Sequence, residues 1–139
     1  MKNYQFDELT SETMIPPLKV GPIEHMDLVR YSGASGDFNP IHTDPEFAKS
    51  VGLPGTIAHG MYIMALMGRF TTNWVHPEQI HAFDVKFKNI TRPGETIICS
   101  GKVKKKKVEN GLKLVYLEVD AKNETGEIKV SGEVVIRCT

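Results

Sequence analysis

The sequence has no surplus of either charge: 17 lysines and arginines stand against 17 aspartates and glutamates in 139 residues. A nucleic-acid partner calls for a basic excess, and this zero balance argues against one. Cysteine is scarce. Cys99 and Cys138 lie in strand-like stretches without metal-ligand spacing, which points to reduced, partly buried thiols rather than a disulfide framework or a redox pair. No apolar run approaches the ~18 residues of a membrane span. The opening stretch MKNYQFDELTSE has no apolar segment of the secretory kind, so the expectation is a cytoplasmic protein with no membrane partner. Internal repeats and linkers are absent as well. With 40% hydrophobic and 24% charged residues, the composition suits one globular domain spanning residues 1–139.

What is present falls into two periods. Residues 1–22 carry Tyr4, Phe6 and Leu9 and then a proline-broken approach, Ile15-Pro16-Pro17-Leu18, which predicts one short strand near the start and irregular chain after it. From Ile23 to about Ser32, the placement of Leu28, Val29 and Tyr31 predicts a short amphipathic helix ended by Gly33 and Gly36. Asp44-Pro45 reads as a helix start, with Asp44 as cap and Pro45 at the first position, and this helix ends by Gly52. His59 to about Trp74 is apolar nearly all round, which predicts a buried helix ~22 Å long. Beyond it the period becomes two. Phe83, Val85 and Phe87 alternate with charged residues, and Thr96–Val108 and Leu112–Lys122 are strand candidates joined at the hairpin signal Glu109-Asn110-Gly111. Asn123-Glu124-Thr125-Gly126 then turns into a last strand, Glu127–Arg137. The pattern is α+β, an antiparallel sheet with one long helix to wrap. Lys104–Lys107 reads as a solvated strand end.

The segment Tyr31–Gly60 stands apart from this regularity. It is punctuated by glycine and proline and presents an acid, Asp37, and a base, His42, five positions apart. It closes on His59-Gly60 at the start of the long helix. On spacing alone, a Gly-Asp-x-Asn turn with a buried histidine explains these residues as well as catalysis does. His42, Asp44 and His59 are also candidate metal ligands, but no H-E-x-x-H or paired-cysteine pattern accompanies them, and no metal or cofactor is expected. His25, His76 and His81 read as surface or turn residues.

Taken together, Tyr31, Ser35-Gly36-Asp37, Asn39-Pro40, Ile41, His42 and Ala48 resemble the signature of the MaoC-like dehydratases and (R)-specific enoyl-CoA hydratases. A second block, Ile57-Ala58-His59-Gly60-Met61, resembles the start of that family's central helix, and the resemblance runs from about Ile15 to Cys138. Two positions depart from the pattern: Ala34, where a larger apolar residue is expected, and Gly68, where short members carry a serine. The blocks from Val29 to Trp74 are especially similar to the catalytic subunit of mycobacterial-type (R)-3-hydroxyacyl dehydratases.

The resemblance implies a hotdog fold, a long antiparallel sheet wrapped around a buried central helix. It implies reversible hydration of trans-2-enoyl thioesters to (R)-3-hydroxyacyl thioesters, carried on coenzyme A or acyl carrier protein. Asp37 and His42 would then hold the reacting water as one coupled unit. Asn39 would fix the loop, and the Gly60 N–H at the positive helix end would take the developing oxyanion. His59 would support the helix start, and Met61 would belong to the stripe lining an acyl pocket. A homodimer is the expected assembly, with a heterodimer with a related subunit as the alternative. A non-catalytic acyl-thioester-binding module and a thioesterase on the same fold are the competing functions.

Overall fold

The computed structural model describes residues 1–139. Five strands form one antiparallel sheet in the order β1 (Met14–Val20), β3 (Ile97–Glu109), β4 (Leu112–Asn123), β5 (Ile128–Cys138), β2 (Ile80–Phe87). Three α-helices, α1 (His25–Ser35), α2 (Pro45–Ser50) and α3 (Gly60–Trp74), come between β1 and β2 in the chain. This is the α+β hotdog arrangement.

The three long strands follow from local signals. Asn110 and Gly111 take φ values of 49° and 77°, the pair of left-handed residues that a two-residue hairpin needs to match strand twist. That turn sets the register from Glu109 opposite Leu112 to Lys105 opposite Tyr116, and a bulge between Lys105 and Val103 shifts it by one residue for the rest of the pair, down to Ile97 opposite Asn123. Alternate residues Val115, Leu117, Val119 and Ala121 of β4 are then buried on one face, joined by Val130, Val134 and Ile136 of β5. Each of these valine, leucine and isoleucine side chains contributes about 1.5–3 kcal/mol by leaving water.

Helix α3 lies against β1, β3, β4 and β5. Ile63, Leu66, Met67, Phe70, Thr71 and Trp74 are its buried side. The opposite row, Met61, Ala65 and Arg69, is open to solvent, so the helix is covered on the sheet side rather than all round. Both cysteines are free and buried, and burial pushes the Cys99 thiol up to about 12, which makes it an inert core residue.

Three local expectations change. The first strand runs through Pro16-Pro17 instead of breaking before them. It can do so because β1 is an edge strand whose pairing with β3 is shifted between Ile15 and Leu18, where the missing proline donors remove no ladder bond. Helix α1 passes through Gly33 and stops at Gly36, whose φ of 75° places it in the left-handed region while its N–H donates to the Ser32 carbonyl at 2.9 Å. Within α1, Leu28 and Ser32 are the buried residues, whereas Val29 is exposed.

Candidate active site

The loop between α1 and α3 is built by its own short polar side chains. Asp37 N–H donates to Ser35 Oγ at 3.2 Å, Asp37 Oδ1 accepts from Asn39 N–H at 3.2 Å, and Asn39 Oδ1 accepts from Ile41 N–H at 3.2 Å. Asn39 thus caps the single turn Pro40–His42, and Asp44 caps α2 by accepting from the Glu46 and Phe47 N–H groups. A backbone bond from Ile57 N–H to the Ile41 carbonyl, 3.1 Å, ties the two ends of the loop together. Asn39 therefore shapes the loop that carries Asp37 and His42.

These contacts bring the acid and the base together. His42 is buried, and its Nδ1–H donates to the Ile57 carbonyl at 2.8 Å. That bond fixes the tautomer, because a carbonyl only accepts, and it leaves Nε2 pointing to the exposed side. Asp37 Oδ2 lies 3.7 Å from that Nε2, with half of the Asp37 side chain exposed. The gap is too long for a direct hydrogen bond. A water ~2.8 Å from both atoms would subtend an angle of roughly 80°, so one water can touch both.

His59 sits behind the pair. Its ring stacks on His42 with centroids 3.7 Å apart and an interplanar angle of 21°, and the Tyr31 ring meets its edge at 4.8 Å. Its Nε2 is 3.2 Å from the Asp37 carbonyl and 3.1 Å from Ser32 Oγ, so Nε2 carries the proton and anchors the backbone of Asp37. Nδ1 is then a buried lone pair with no donor. Burial, aided by the neighbouring His42, holds the His59 pKa below the usual imidazole range despite its contacts with Asp37. The side chain is a neutral support with no opening to a ligand.

Asp37, His42 and His59 each bring one potential ligand atom within 4.8 Å of the others. Stacking keeps the in-plane lone pairs of the two imidazoles in nearly parallel planes, so one ion cannot lie in both planes at the ~2.0 Å a zinc–nitrogen bond requires. His59 Nε2 and His42 Nδ1 are also committed as donors. The donor set does not fit a resident metal.

Gly60 opens α3, so its N–H has no carbonyl within its own helix and lies at the positive end of the helix dipole. A cavity of about 260 Å³ runs beside it, lined by His42, Ile57, Ala58, Gly60, Ile63, Phe87, Thr91 and Val130 among others. A Cβ on residue 60 would come within 3.1 Å of the Phe87 ring, so the glycine lets that wall sit close against the helix end. Met61, one residue on, is 55% exposed and does not line this cavity. Gly68 has open space around it, enough for the serine that the resemblance leads one to expect. A larger hollow of about 480 Å³ lies among Asp84, Lys86, Lys104, Glu118 and Glu133, and none of the loop residues reaches it.

Sequence reasoning missed Ser32, the Phe87 wall and the segment after it. Ser32 follows the motif's Tyr31, but nothing local says that it faces a histidine 27 positions later. Phe87 reads as a core residue by alternation, yet it is 53% exposed at the strand's end.

Residues 11–125 match the profile of the "MaoC like domain" family. The beta subunit of fatty acid synthase from Schizosaccharomyces pombe is 39% identical over 107 residues, covering 73% of this chain and 5% of that protein. Peroxisomal enoyl-CoA hydratase 2 from Arabidopsis thaliana is 33% identical over 107 residues, covering 74% of this chain and 32% of that protein. The chain thus spans only a small part of the curated relatives it matches. Among solved structures, the R-hydratase PhaJ1 from Pseudomonas aeruginosa superposes with a TM-score of 0.83 at 24% identity, covering 98% of this chain and 86% of that one, which is a likeness of fold.

Proposed function

The chain belongs to the MaoC-like domain family, and from that premise we propose that it is a hydro-lyase interconverting trans-2-enoyl and (R)-3-hydroxyacyl thioesters of coenzyme A or acyl carrier protein. The observation that carries the reading is the 3.7 Å separation of Asp37 Oδ2 and His42 Nε2, with His42 lining the same cavity as Gly60.

Hydration of a conjugated thioester joins a hydroxyl to the β-carbon and a proton to the α-carbon, while the thioester oxygen takes up charge between the two events. His42 Nε2 has a free lone pair, because Nδ1 is occupied with the Ile57 carbonyl. It can accept a proton from a water that Asp37 holds from the other side, and the pair then returns a proton to the α-carbon. Gly60 N–H offers the oxyanion a fixed donor beside the cavity; in other enzymes the loss of one such donor costs ~3–4 kcal/mol of barrier stabilisation. Asn39 and His59 position this arrangement, and the support for them is the bonds to Ile41 N–H and the Asp37 carbonyl. The unit that does this is one MaoC-like domain, residues 1–139.

We take the working assembly to be a homodimer. The free edges of the sheet are β1 and β2, because the β3–β5 meander is interior. Prolines 16 and 17 blunt the β1 edge, whereas β2 is proline-free across Ile80–Phe87. Pairing β2 with a second copy makes a two-fold, self-complementary contact. Light scattering on the protein expressed alone should give the mass of a dimer; an active monomer would overturn this, and an inactive chain rescued by a related subunit would replace it with a heterodimer.

The function is tested with crotonyl-CoA, following enoyl absorbance and free thiol together. Loss of absorbance without thiol is expected. Thiol release would make the protein a thioesterase, and tight binding without turnover would make it a non-catalytic acyl-thioester module.

A further inference from the structure

Lys129 of β5 is a buried titratable group that the proposed reaction does not use; its side chain is 2% exposed. Its ammonium donates to the Ile90 carbonyl at 2.8 Å and to Glu95 Oε1 at 2.8 Å, and it also bonds Glu127. Burial alone would lower its pKa, but the hydrogen bonds to Glu127 and Glu95 outweigh burial and keep the amine charged. Every partner of this cation except Glu127 lies on one short connection, residues 88–96 between β2 and β3.

That connection leads back to the helix end. It is fastened to β5 by Lys88 N–H donating to the Lys129 carbonyl at 2.9 Å and by Asn89 Nδ2 donating to the Ile128 carbonyl at 2.8 Å. It is closed on itself by Arg92 N–H donating to Glu95 Oε2 at 2.6 Å. Between these ties, the Thr91 carbonyl accepts from Ala58 N–H at 2.7 Å, two residues before Gly60. Ile90 and Thr91 also form part of the cavity wall. A bond from residue 58 to a fixed strap constrains the approach of the chain to α3, and so the direction of the first N–H of that helix.

We propose that Lys129 is a positioning residue: its buried ammonium clamps the 88–96 strap, and the strap, through Thr91 and Ala58, sets where the Gly60 N–H points. The catalytic half of this statement rests on the hydratase reading above; the mechanical half does not. Removal of the cation frees the Ile90 carbonyl and leaves Glu95 and Glu127 without their shared counter-charge, so the strap is the first part to loosen. Asp37 keeps its own bonds, whereas the Ile57 carbonyl that accepts from His42 Nδ1–H shares its peptide with Ala58 N–H, so the strap also bears on the seat of His42.

The test is hydrogen exchange on Lys129→Met without substrate, read beside its kinetics on crotonyl-CoA. Exchange at the Ala58 amide should speed up at least tenfold relative to interior β4 amides such as Val119. The kcat should fall at least fivefold with KM changed less than twofold, because an oxyanion donor acts on the transition state. Unchanged Ala58 exchange would overturn the proposal, and so would faster exchange with unchanged kcat, which would leave Lys129 a purely structural cation. If Lys129→Met does not fold, Glu95→Gln keeps the side-chain shape and loosens the same clamp; a threefold rise in Ala58 exchange is then expected, and no rise would overturn the proposal. A wild-type protein inactive on crotonyl-CoA would remove the hydratase reading, while the exchange result still decides the clamp.

Discussion

The 36–59 loop and the β3–β5 meander are held together by opposite means. In the meander, backbone ladders and alternate apolar side chains do the work, and many side chains of similar volume would serve at Val119 or Val134. In the loop, single polar groups have single partners: Ser35 for Asp37 N–H, Asn39 for Ile41 N–H, His59 for the Asp37 carbonyl, His42 for the Ile57 carbonyl. The sheet therefore tolerates exchange among apolar side chains of similar volume, and the loop tolerates little change in its polar groups. A site made of proton-transfer groups has to be placed by the second method, because an apolar contact fixes position but not tautomer or charge.

The largest effect that separates the two regions is expected at Asp37. Asp37→Asn keeps the shape and the acceptor for Asn39 N–H, so the melting midpoint should move by no more than about 2 °C. Turnover should fall by roughly 10²–10⁴-fold, because the group that shares the water with His42 is lost. Activity near the normal level in this variant would show that the loop is only a turn.

The converse change is Leu117→Ala, at a fully buried position of β4. Denaturant unfolding should show a loss of about 2–4 kcal/mol, with kcat per folded molecule within about twofold of normal. A large drop in kcat with stability intact would break the division between the regions.

Asp44→Ala sharpens the comparison, since it lies inside the loop segment but only caps α2 through the Glu46 and Phe47 N–H groups. It should cost about 1 kcal/mol in denaturant unfolding, with kcat changed less than about threefold.

The smallest effect is a pH dependence. Burial depresses the His59 pKa in the folded protein, so folding favours its neutral form. The sign follows from proton binding: the stability that the neutral ring contributes is complete above the unfolded value of ~6.5 and is lost as pH falls through the lower folded value. Denaturation midpoints should therefore decline on going from pH 7.5 towards 5, and His59→Gln should flatten that decline. An unaltered slope in the variant would show that His59 is not the group responsible.

Much of the fold can be read from sequence because its signals are local. Asn110-Gly111 fixes a hairpin by its own φ preferences, Asp44-Pro45 starts a helix, and the stretch from Gly60 to Trp74, apolar nearly all round, is too long for a buried strand. What could not be read depends on distant neighbours. The strand through Pro16-Pro17 is allowed because it falls at the sheet edge, and Gly33 stays helical because tertiary contacts around buried Leu28 and Ser32 outweigh a local cost of about 1 kcal/mol. The open row of Met61, Ala65 and Arg69 shows the same limit, because periodicity reports which residues are apolar but not which side the sheet covers. In the site, the Asp37–His42 spacing was visible, but the support of Asp37 by Ser32 and His59 and the clamp at Lys129 join positions far apart in the chain.

The central claim is that the loop aims water at the β-carbon of an enoyl thioester. Turnover of crotonyl-CoA in ¹⁸O-labelled water, followed by mass spectrometry of the product, reports where that oxygen goes. The account predicts one labelled oxygen in the C3 hydroxyl of an intact 3-hydroxybutyryl thioester. Label in a free carboxylate, with the thiol released, would contradict it.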